Sequence, residues 1–121
     1  MYYMKLANLG SSHAEILRLT LTHHALKKDT ALPSQLPGGA PLERRRLNQL
    51  LPVGTPVNVQ EVDIRHYFED EEISGSLLGI LCVRVEYDDV FKKEPRFTES
   101  VYFYDQKTHS LKNMPVYNRY S

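Results

Sequence analysis

Cysteine is almost absent: Cys82 is the one thiol in 121 residues. No disulfide can form within the chain, so a reducing, cytoplasmic setting is expected rather than an oxidising one. No apolar run reaches the ~18 residues that a membrane-spanning helix needs, and Met1 to Gly10 lacks the basic-then-apolar pattern of a secretory leader. Neither a membrane span nor a signal peptide is expected. Net charge is missing too, with 15 Lys and Arg against 15 Asp and Glu. That balance argues against a chain held to nucleic acid or anionic membrane by bulk electrostatic attraction.

Chemical signatures are equally scarce. There is no nucleophile elbow, no glycine-rich phosphate loop and no carboxylate pair in an apolar setting. The five histidines, His13, His23, His24, His66 and His109, share no ligand spacing, and Cys82 has no cysteine neighbour at zinc-ligand distance. No metal or other cofactor is expected, and no catalytic residue can be named. Cys82 lies in the apolar run ILCVRV, where a thiol behaves as a small hydrophobe rather than a reactive nucleophile.

What is present is strand-forming sequence. PVNVQEVDIRHYF, SLLGILCVRVEY and SVYFY, between Pro56 and Tyr104, are short runs rich in Val, Ile, Tyr and Phe, the side chains that fit a pleated, half-buried surface. Val57 and Val59 share one phase and Val62 and Ile64 the other, which predicts a bulge near Gln60 and Glu61. The first half of LLGILCVRVEY is apolar on both faces, as in a covered central strand, and its second half is expected to put Val83, Val85 and Tyr87 inward and Arg84 and Glu86 outward; Val101 and Phe103 oppose Tyr102 and Tyr104. Pro115 restricts the last segment to an edge strand.

Earlier in the chain, Ser12 and Glu15 have the spacing of a helix capping box, but Leu17, Leu19 and Leu21 against Arg18, Thr20 and Thr22 keep period two. The period predicts a strand from Ile16 to Thr22, forming an N-terminal hairpin with Tyr2 to Leu9. Residues 29 to 41, DTALPSQLPGGAP, hold three of the seven prolines and two of the six glycines and read as a long loop. Pro41 then opens LERRRLNQLL, predicted to be a short helix with Leu47, Leu50 and Leu51 on its docking face and an end before Pro52.

The whole, residues 1 to 121, reads as one α+β, β-rich domain: an antiparallel curved sheet or small barrel with one short docked helix. Its charge is segregated. Residues 1 to 50 carry seven basic and three acidic side chains, 51 to 90 two and nine, and 91 to 121 six and three. The candidate binding residues follow from that pattern. Glu69, Asp70, Glu71 and Glu72 form an acidic tip, with His66 beside it as a group that could change charge near neutrality. Arg44 and Arg45 supply guanidinium forks, and Tyr102 and Tyr104 an amphipathic aromatic face. These features predict a non-catalytic binding module, an adaptor or regulator with a protein partner. The alternatives are a nucleic-acid-binding β-module using the arginines and a tyrosine stacking face, and a curved-sheet cup for a small ligand or substrate.

Overall fold

The computed structural model of the chain describes residues 2–6, 14–27, 41–51, 54, 57–62, 67–89 and 95–120. Strands β1 (Tyr2–Leu6) and β4 (Val57–Val62) pair in a two-stranded antiparallel sheet. The other strands are β2 (Ala14–Lys27), β3 (Pro41–Leu51), β5 (Leu77–Asp89), β6 (Arg96–Asp105), β7 (Ser110–Asn113) and β8 (Arg119–Tyr120). They form one antiparallel sheet in the order β3-β2-β5-β6-β7, with β8 also on β6. The architecture is therefore a small β-rich domain whose described strands do not close into a barrel. A single α-helical turn, α1 (Asp70–Ile73), precedes β5.

Alternation explains the central strands. Leu19 and Leu21 of β2 sit opposite Val85 and Val83 of β5, and with Leu81, Phe68, Tyr67 and Tyr104 they make the larger buried cluster on one face. The intervening residues reach the other face, where Ile80, Val101, Met114 and Tyr117 form a second cluster with Cys82 and Phe103 packed on it. A sheet apolar on both faces needs cover on both. The turn at Tyr67 to Ile73 covers one, and the 3-10 turn Pro115–Tyr117 covers the other. The expected strand at Ile16 to Thr22 is present, with one refinement: Ile16 pairs with Tyr87 and Arg18 with Glu86. Leu17 is thus the extra residue of a bulge, and Ile16 rather than Leu17 is fully buried. A second bulge lies in β4, where Met4 pairs with Gln60 but Lys5 with Asn58, leaving Val59 extra beside the predicted position.

Two sequence expectations are corrected. LERRRLNQLL is not a helix but strand β3, paired with β2 from Leu51 opposite Ala14 to Pro41 opposite Thr22. Its leucines, arginines and glutamine favour helix locally, but a helix of about ten residues does not persist on its own. A ladder along most of β2 outweighs that propensity. The N-terminal hairpin also fails: β1 pairs with β4, and β2 from Ala14 to Thr22 is already paired on both edges, to β3 and β5. Pro115 behaves as its missing N–H requires: β7 stops at Asn113, Pro115 opens the 3-10 turn, and β8 rejoins β6 further along. Across that gap Val101 keeps its bonds. Its N–H donates to Asn118 Oδ1 at 3.0 Å, and its carbonyl accepts from Met114 N at 2.7 Å and Asn113 Nδ2 at 3.1 Å.

Candidate functional site

The acidic tip is not a row of four equivalent surface charges. Glu69 precedes the single turn α1, and the Glu72 carboxylate folds back to accept from the Glu69 backbone N–H at 3.0 Å, while the Glu69 side chain accepts from the Glu72 backbone N–H, completing a capping box. The other Glu72 oxygen lies 2.6 Å from His23 Nε2. The Glu72 side chain is 0% exposed and His23 20%. Against an ionised carboxyl, which only accepts hydrogen bonds, His23 donates through Nε2–H. The result is a docking pin between the turn and β2. Glu69, Asp70 and Glu71 are left exposed in front of it, with the Ser74 hydroxyl donating to the Glu71 carbonyl at 3.2 Å.

Close approach makes the pin possible. Gly79 of β5 lies directly beneath it, and a Cβ there would stand 2.4 Å from Glu72 Oε2 and 2.5 Å from Phe68 Cδ1. Neither obstacle is the free end of a flexible chain: the carboxylate is buried and bonded, and the Phe68 ring packs against His23 at 5.7 Å and Tyr104 at 5.8 Å between centroids. Gly79→Ala should therefore destabilise the domain by about 1–3 kcal/mol, the usual consequence of overpacking. Urea unfolding will measure it, and a change near zero would mean that the turn rides higher above β5.

The sequence-predicted residues separate into three places. Glu69 to Glu72 form the pinned turn. Tyr104 is 6% exposed in the larger cluster, its hydroxyl 3.1 Å from His109 Nδ1, and Tyr102 is half-buried against the same cluster. Tyr104 is thus core, and it backs the acidic turn through Phe68. Arg44 and Arg45 lie apart, on β3, in register with Thr20 and Leu19. His66 falls outside the described residues. The residues that sequence reasoning missed are His23, Phe68 and Gly79. A signal existed for His23, since the alternation that buries Leu19 and Leu21 puts position 23 on the same face, where an imidazole needs a partner.

The opposite face carries an ion-pair cluster. Glu99, 7% exposed, accepts from Arg84 Nη1 at 2.7 Å and from Arg119 Nη2 and Nε at 2.7 and 3.0 Å. Arg84 also lies over the Phe97 ring at 4.0 Å and donates to Glu86 at 3.2 Å. Burial disfavours the charged form of Glu99, but the hydrogen bonds from Arg119 and Arg84 outweigh it and hold the carboxyl below its ordinary value. His24 is also lowered, by burial first and by its neighbour His23 second. Both shifts have one sign. In each case the unfolded chain binds its proton at a higher pH than the native one, so stability present at neutral pH is lost on acidification. Loss should begin as pH falls below about 6.5 through His24 and steepen below about 4.5 through Glu99. Denaturant titrations from pH 7 to about 3 will show the two windows, and Glu99→Gln should shrink the lower one to the part that remains from Asp105, whose carboxyl the hydrogen bond from Lys112 holds below its ordinary value. Burial pushes the Cys82 thiol up, with Glu99 adding to it, which leaves no reactive thiolate at neutral pH.

Among the described residues, no three His, Cys, Asp or Glu side chains could hold a metal ion, and no helix is long and apolar enough to cross a membrane. The chain matches no protein-family model, no curated protein and no solved structure.

Proposed function

We propose that the chain is a non-catalytic protein-binding module that offers Glu69, Asp70 and Glu71 to a basic segment of its partner. One observation carries the reading. Glu72 is withdrawn into the fold and fastened to His23, while its three acidic neighbours stay exposed on a turn that cannot swing freely. Fixed charges lose less conformational freedom on binding than charges on a loose loop, and they act mainly on the rate of encounter.

The test separates charge from fold. Glu69→Lys, Asp70→Lys and Glu71→Lys together should lower stability by no more than about 1 kcal/mol, the size of a lost N-cap bond at Glu69, because Asp70 and Glu71 are exposed positions whose substitution shifts it little. Affinity capture from the native host with the wild-type chain supplies the partner. Association of that partner with the triple variant should be slower by about tenfold or more at low salt. An unchanged association rate would overturn the reading. Glu72 stays out of the variant, since replacing it would disturb the turn and confuse the two effects.

A further inference from the structure

We infer that strand β3 is a docking edge for an acidic segment of another protein, which adds to the sheet as a further antiparallel strand. The surface is distinct from the acidic turn, and the inference stands if the reading of that turn fails. Strand β3 runs for 11 residues, Pro41–Leu51, and ends the sheet order at one side. Among the described residues its single strand partner is β2. A strand paired on one side presents a row of backbone donors and acceptors on the other, which is the template for strand addition.

Charge selects the occupant. Arg44, Arg45 and Arg46 are consecutive on this strand, about one positive charge per 3.3 Å of edge, and Arg46 is exposed. The β2 residues in register with them are Thr20, Leu19 and Arg18. None is a carboxylate, and Arg18 is itself a cation whose described partner, Glu86 at 4.0 Å, also receives Arg84. Strand β2 therefore places no carboxylate in register with the three arginines. A second copy pairing edge to edge would bring two arginine-rich strands together, which like-charge repulsion disfavours. An extended segment rich in Asp or Glu satisfies both the backbone groups and the guanidinium groups.

The probe is a blocked peptide of alternating glutamate and valine, added to the full chain at about 50 mM salt, where charge contacts are strong. Three results are expected: saturable binding, chemical-shift changes and slowed amide exchange concentrated in residues 41–51, and loss of binding when alternate peptide nitrogens are methylated. Methylation keeps every charge and removes the donors that a strand needs. Arg44→Glu with Arg45→Glu should weaken binding about tenfold, the size expected when two ion pairs become repulsive, and Arg44→Gln with Arg45→Gln serves if the reversal disturbs the fold. Equal binding of the methylated peptide would reduce the contact to simple ion exchange and overturn the inference. So would no binding, or protection outside β3. A single-stranded oligonucleotide of equal charge that binds β3 more tightly than the peptide would overturn it in favour of nucleic acid.

Discussion

Leu81→Ala should remove about 2–5 kcal/mol of stability, a large part of what a domain of this size possesses. Leu81 is 1% exposed at the middle of β5, the strand flanked by β2 and β6. Its registered neighbours are His23 and Tyr102, and the larger cluster surrounds it. Strands ladder-bonded on both edges cannot shift inward to fill the space, so the loss includes the cavity as well as the transfer of the side chain. Arg84, three residues along on the opposite face, gives the contrast. The sequence places it outward, as found, which alone would make its removal almost neutral. Its bond to the buried carboxylate of Glu99 raises the expected effect of Arg84→Ala to about 1 kcal/mol, and no further, because Glu99 keeps both bonds from Arg119. Urea midpoints at pH 7 should therefore rank Leu81→Ala well below Arg84→Ala. Equal midpoints would mean that β5 does not hold the central place.

The same contrast marks how far the sequence could be read. Strand identity was legible wherever side chains alternate against a buried surface, as in Leu19, Leu21, Val83 and Val85, because period two and burial are two views of one constraint. It was not legible in LERRRLNQLL. There the deciding contact is a ladder with β2 across a connection of 13 residues, 28–40, and no local signal reports a partner that far away. Strand pairing failed for a similar reason. That β2 is saturated by β3 and β5 is a property of the whole sheet, and it removed the hairpin with β1. At the candidate site, the acid-rich composition of Glu69 to Glu72 was plain, but composition treats four glutamates and aspartates alike. Burial of one and exposure of three depends on His23, 49 residues away, and on the missing side chain of Gly79.

Glu72→Ala should accordingly cost about 3 kcal/mol, at the lower end for breaking a buried ionisable pair, because His23 keeps some access to water. The Glu69 N–H loses its acceptor, the His23 Nε2–H loses its partner, and a space opens beneath Phe68. Asp70→Ala, two residues away but exposed, should change stability by less than about 0.5 kcal/mol. Glu72→Gln is the sharper experiment. Both partners of the carboxylate are donors, and an amide offers one accepting oxygen and one donating nitrogen. If the oxygen stays on the Glu69 N–H, the amide NH2 meets His23, and the pair survives only when His23 moves its proton to Nδ1 so that Nε2 accepts. The tautomer should therefore switch, from Nε2–H in the wild-type chain to Nδ1–H in Glu72→Gln, at a cost of about 1 kcal/mol, visible in two-bond nitrogen–proton correlation spectra of the imidazole. A variant that keeps Nε2–H with unchanged stability would place His23 and Glu72 out of contact. An Ala variant no weaker than Asp70→Ala would release the acidic turn from the sheet, and with it the fixed display of Glu69, Asp70 and Glu71 on which the proposed binding to a basic partner rests.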